Sequence, residues 1–117
     1  MARGIRKLTI VVATAALSLA APAAAAGAWG AIAVDPQTGK AGVGVNEPTK
    51  KAAQNEAERD CPGKCRQIII VLNKCGALGV TEKGRFVGGF ASSKKEAIKE
   101  ARAKAGPGGK LIAFVCS

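Results

Sequence analysis

The apolar positions of this chain fall into two patterns: short unbroken runs, and stripes that repeat every four residues. The longest run beyond the N-terminal region is Ile68-Ile69-Ile70-Val71-Leu72, bounded by Arg66-Gln67 and Asn73-Lys74. Its β-branched residues favour extended backbone and it is too short for an independent helix. Residues 66–73 are therefore predicted to form a strand at the centre of a sheet. Gly30-Ala-Ile-Ala-Val34 and Gly76-Ala-Leu-Gly-Val80 are each followed by a polar turn, Asp35–Lys40 or Thr81–Gly84, and then by a Gly-rich segment, Ala41–Val45 or Arg85–Ala91. Both read as β-hairpins. A last apolar stretch, Lys110–Val115, predicts a closing strand.

Between each hairpin and its closing strand the spacing becomes helical. Thr49-Lys-Lys-Ala-Ala-Gln-Asn-Glu-Ala57 aligns with Ser93-Lys-Lys-Glu-Ala-Ile-Lys-Glu-Ala101. Thr49 and Ser93 suit the N-cap, and Ser93 with Glu96 makes a capping box. Ala53, Ala57 and Cys61 recur every four residues, as do Ala97, Ala101 and Ala105, so each helix presents a small-residue stripe to a sheet. The chain thus runs β-β-α-β twice, over 29–75 and 76–117. The expected fold is α+β: duplicated β-β-α-β units forming one antiparallel-rich sheet of about six strands, with both helices packed on one face and the halves related by a pseudo-twofold axis. Gly42, Gly44, Gly88 and Gly89 are expected to let the Ala-faced helices approach, and Trp29 to open the core of the first strand.

The N-terminal region changes the address. Arg3, Arg6 and Lys7 precede an apolar stretch, Leu8–Leu19, and Ala24-Ala25-Ala26 follows Pro22. This is the layout of a secretory signal peptide over 1–26, the apolar part being too short for a membrane span. Its removal leaves 91 of the 117 residues, 27–117, as a single domain. It takes away those three cations and no acid, so 18 basic residues become 15 against 8 acids, a net charge of +7.

A domain this small benefits from covalent staples, and four cysteines in an exported chain read as two disulfides. Pro62-Gly63-Lys64 is a turn-forming tripeptide that can bring Cys61 and Cys65 within bonding range, which leaves Cys75 to pair with Cys116. Zinc is disfavoured, since the chain has no histidine and C-x3-C…C…C lacks two close ligand pairs. No metal and no cofactor is expected. The C-x3-C closes a helix, whereas a thioredoxin-like C-x-x-C opens one.

Catalytic patterns are thin. Without His or Tyr, a nucleophile lacks its usual imidazole partner. Glu56 with Asp60 and Glu96 with Glu100 sit four apart and are candidate carboxylate pairs, but the lysines and arginines among them describe a solvated helix face more simply. Ser92-Ser-Lys-Lys95 matches S-x-x-K without its companion elements and is better read as a helix start. Gly106-Pro-Gly-Gly-Lys-Leu111 has the wrong spacing for a phosphate loop and is read as a turn.

Taken together, Trp29-Gly-Ala-Ile-Ala33, the Lys/Ala-rich helix ending in Cys61, the C-x3-C, the strand into Cys75-Gly-Ala-Leu-Gly79 and the terminal Ala113-Phe-Val-Cys-Ser117 resemble the bacterial domain-of-unknown-function family 4189 (DUF4189), common in exported proteins. The resemblance covers essentially the whole of residues 27–117 and implies no catalytic activity. It also implies a further cysteine pair in the second half, about where Ala105 and Gly109 stand. This chain departs from that pattern at both positions together.

The remaining clue is charge. Lys50-Lys51 and Lys94-Lys95 hold equivalent places at the two helix starts, where cations oppose the helix dipole and are mildly unfavourable, a placement that fits binding. The expectation is a non-enzymatic, exported binding module whose partners are anionic: lipid, wall polymer or an acidic protein, with Lys50, Lys51, Lys94 and Lys95 as contacts. Nucleic acid is not expected, since aromatics are few and no Lys/Arg–aromatic stacking motif appears. The alternative is an inhibitor of a secreted hydrolase that presents the Cys61–Cys65 loop.

Overall fold

In a computed structural model, residues 28–117 are described; the signal peptide expected over 1–26 lies outside them. The chain is α+β, with six strands and two helices: β1 (Trp29–Val34), β2 (Ala41–Glu47), α1 (Lys50–Asp60), β3 (Arg66–Leu72), β4 (Cys75–Val80), β5 (Phe86–Ala91), α2 (Lys94–Ala105) and β6 (Lys110–Cys116). The turns close as their residues predict. Asp35 N donates to Lys40 O at 2.9 Å with Gly39 at φ 77°, and Thr81 N donates to Arg85 O at 2.8 Å with Gly84 at φ 88°. Both helices carry side-chain caps, Thr49 Oγ1 accepting from Ala52 N at 3.0 Å and Ser93 Oγ from Glu96 N at 3.3 Å.

The strands do not form one sheet. They form two antiparallel sheets of three, ordered β2-β1-β3 and β5-β4-β6, so the single six-stranded sheet is corrected to a pair. Side-chain alternation supplies the reason. One face of each sheet takes its helix: Ala31 and Ala33 pack with Ala53 and Ala57 of α1, and Ala77 packs with Ala97 and Ala101 of α2. The other faces carry Ile32, Val34, Ile69 and Val71 in the first sheet and Leu78 and Val115 in the second, which together make one core. In a single sheet with both helices on one side, that apolar face would meet water. Stacking the sheets buries it, and the helices therefore lie on opposite outer faces of an α-β-β-α sandwich.

The apolar run of β3 is read differently for the same reason. It lies at the edge of its sheet, and the central strand is β1. Ile69 and Val71 point to the shared core and Ile70 to α1, so the run is apolar on both faces because both are covered. Asn73 and Lys74 then join β3 to β4; Asn73, at φ 55°, turns the chain across to the facing sheet.

The two halves share the β-β-α-β order and one feature of register. Each central strand shifts register against its closing strand at the same place, between Ile32 and Ala33 and between Leu78 and Gly79. Gly44 and Gly89, opposite Ala31 and Ala77, lie under the Ala53 and Ala97 carbonyls, with no room for a Cβ. Gly42 likewise sits beneath α1. Gly88 differs from the expectation: its missing Cβ would meet Ile69 Cδ1 at 2.8 Å, so it serves the sheet-to-sheet contact. Trp29, half-buried, packs with the helix-facing cluster of the first sheet.

Candidate functional site

Disulfides tie the chain at opposite ends of the sandwich. Cys61–Cys65 closes the turn after α1, its Cα atoms 6.4 Å apart, and Gly63 lies directly on the Asp35 carboxylate of the first hairpin turn. Cys75–Cys116 joins register partners of β4 and β6. The corresponding partners in the first sheet are Trp29 and Leu72, so an apolar pair there holds the place of a covalent one. Two disulfides are the chemistry of an oxidising compartment. Ala105 and Gly109 occupy the places that match Cys61 and Cys65. A Cβ on Gly109 would stand 2.7 Å from Ala105 Cβ, so without cysteines this turn closes tighter than a side chain at 109 permits.

One carboxylate of each pair that spacing offers as catalytic is engaged with a strand edge. Asp60 Oδ2 accepts from Val43 N at 3.0 Å, on edge strand β2. Glu100 Oε1 accepts from Phe90 N at 2.6 Å, on edge strand β5, while Lys104 Nζ donates to Gly88 O at 2.9 Å. Each helix thus covers backbone groups that would otherwise be open to pairing with another strand. Glu56 pairs with Arg59 at 2.6 Å, and Glu96 shares an open groove with Phe90 and Lys99. Ser93 of the S-x-x-K match is the cap of α2, and Gly106–Gly109 is the turn into β6. Among the described residues, no three Cys, Asp or Glu side chains converge as a metal site, and no helix is long and apolar enough to cross a membrane.

Lys50, Lys51, Lys94 and Lys95 are all exposed. Among the described residues the ion pairs are Arg59–Glu56 and Lys104–Glu100, so these four lysines are not neutralised in that way; Lys94 Nζ instead lies 4.1 Å from the centre of the Phe114 ring. The sandwich does not put the two pairs on one helix-bearing face. With sheets and helices stacked about 10 Å apart, the two helix axes lie on the order of 30 Å from each other. It does put them at one end. β3 finishes and β4 begins at that end, joined by only two residues, and each helix starts from a strand that ends there. The linker adds Lys74, exposed between the two pairs. Sequence reasoning missed Lys74; the short polar break Asn73-Lys74 between two apolar strands was the signal that could have marked it.

The family described as domain of unknown function (DUF4189) matches residues 29–116, which span every strand and both helices. No curated protein and no solved structure matches the chain. From Trp29 to Cys116, then, the chain belongs to the DUF4189 family.

Proposed function

We propose that this domain is a non-enzymatic binding module, exported and then oxidised, that docks on an anionic partner through its lysine-bearing end. The observation that carries the reading is the convergence of Lys50, Lys51, Lys74, Lys94 and Lys95, from three separate segments, on one end of a chain with excess positive charge. Glu47 and Glu96 stand among them and Glu100 accepts from Phe90 N at the same end, which still leaves the cations in the majority. Lysines at helix starts work against the helix dipole, so their placement is not a stability device. Asp60 and Glu100, one from each helix, accept from edge-strand amides, a structural role that supports the non-enzymatic reading.

Retention of the purified protein on an immobilised polyanion tests this. Binding is expected at low salt and lost toward 1 M, where the screening length falls to about 3 Å. Changing Lys50, Lys51, Lys94 and Lys95 together to Gln is expected to abolish most of it. Unchanged retention in that variant would remove the basis of the proposal. The exposed tripeptide Pro62-Gly63-Lys64 supports the inhibitor alternative, in which a hydrolase is captured stoichiometrically and substitution of Pro62 or Lys64 releases it.

A further inference from the structure

The lysine-bearing end has a second property. The large hydrophobic side chains most exposed among the described residues are Val45, Leu72, Phe90 and Phe114, each between 39% and 45% exposed. Every one lies within the last three residues of its strand, and β2, β3, β5 and β6 all finish at this end. The opposite end also carries cations, Lys40, Lys64, Lys83 and Lys110 among them, but none of these apolar side chains.

Exposed hydrophobic residues scattered singly need no explanation, whereas four that share one end of the sandwich with five lysines do. A soluble polyanion engages lysines and leaves neighbouring apolar groups in water. A bilayer uses both: ammonium groups on long apolar stems reach the headgroups, and apolar tips enter the acyl boundary beneath them. Lys94 over the Phe114 ring places the two kinds of contact side by side.

From this we infer that the end is a docking face for an anionic lipid bilayer, with the five lysines meeting headgroups and Leu72 and Phe114 entering the interface. The inference rests on the anion-binding reading above and names its partner.

Trp29 provides the reporter. It is the only tryptophan, lies at this end, and is the register partner of Leu72. The purified protein is titrated with vesicles of phosphatidylglycerol and phosphatidylcholine, with phosphatidylcholine vesicles alone, and with soluble polyaspartate. The mixed vesicles are expected to bind and shift Trp29 emission to the blue. Phosphatidylcholine alone is expected not to bind, and polyaspartate to bind without the shift. Leu72→Ser combined with Phe114→Ser is expected to lower vesicle affinity about tenfold or more and to change polyaspartate affinity less than about twofold. Both side chains are about two-fifths exposed, so the fold tolerates the change. As a second comparison, Lys50, Lys51 and Lys74 changed to Gln should cost more vesicle affinity than Lys40, Lys64 and Lys83 changed to Gln. Full vesicle affinity in the double serine variant, a bound state with unshifted emission, or the reverse order of the lysine variants overturns the inference. Binding to polyaspartate with none to vesicles overturns it and leaves the anion-binding reading intact; binding to neither overturns both.

Discussion

Gly44 and Gly89 show how single residues set the spacing of this fold. Each lies beneath a helix carbonyl, where a methyl group has no space. Gly44→Ala or Gly89→Ala should therefore lower the unfolding free energy by about 1–3 kcal/mol, read from the urea midpoint. Gly39→Ala is the contrast: nothing lies within 4 Å, and only its φ of 77° penalises a side chain, at about 1 kcal/mol. The sequence marks glycines in strands as places of close approach, but it does not say to what. Gly42, Gly44 and Gly89 approach helices, while Gly76 and Gly88 face the opposing sheet, and the alternation that separates them depends on register. The acids were harder still. Glu100 reads as a solvated helix residue and serves as acceptor for an edge-strand amide; Glu100→Ala should cost about 0.5–1.5 kcal/mol, with Glu100→Gln retaining most of it.

At the scale of elements, capping and periodicity carry most of the information. Thr49 and Ser93 stand where spacing put them, and the Ala stripes of both helices are buried. β2 runs two residues beyond its predicted end because Asn46, at φ 53°, lies in an irregular stretch that lets Glu47 pair again with Trp29. The disulfides act on elements too. Cys75–Cys116 closes a separation of 41 residues, which on the loop-entropy treatment is worth about 4 kcal/mol, against about 2 kcal/mol for the separation of 4 closed by Cys61–Cys65. Replacing Cys75 and Cys116 with Ala should lower the urea midpoint clearly more than replacing Cys61 and Cys65. An equal fall for the two variants would contradict this assignment of roles.

The whole molecule depends on one contact, sheet against sheet. The core made by Ile32, Val34, Ile69 and Val71 with Leu78 and Val115 belongs to neither half alone. A fragment of residues 28–74 can form its hairpin and helix but exposes that face. It should show no cooperative unfolding transition by circular dichroism, whereas the full chain should unfold in one step. The same contact decides where the charge goes. By putting the helices on opposite faces and joining β3 to β4 through two residues, it separates the lysine pairs across the sandwich while bringing them, with Lys74, to one end.

By itself the sequence determined the elements, their order, the caps and the α+β class, because these follow from local periodicity, turn chemistry and cap geometry. Only the tertiary structure decided that there are two sheets, that β1 is central and β3 is not, and which side chains share an end. Those outcomes depend on which of two apolar faces covers the other. An apolar run records that it will be buried without recording the partner that buries it.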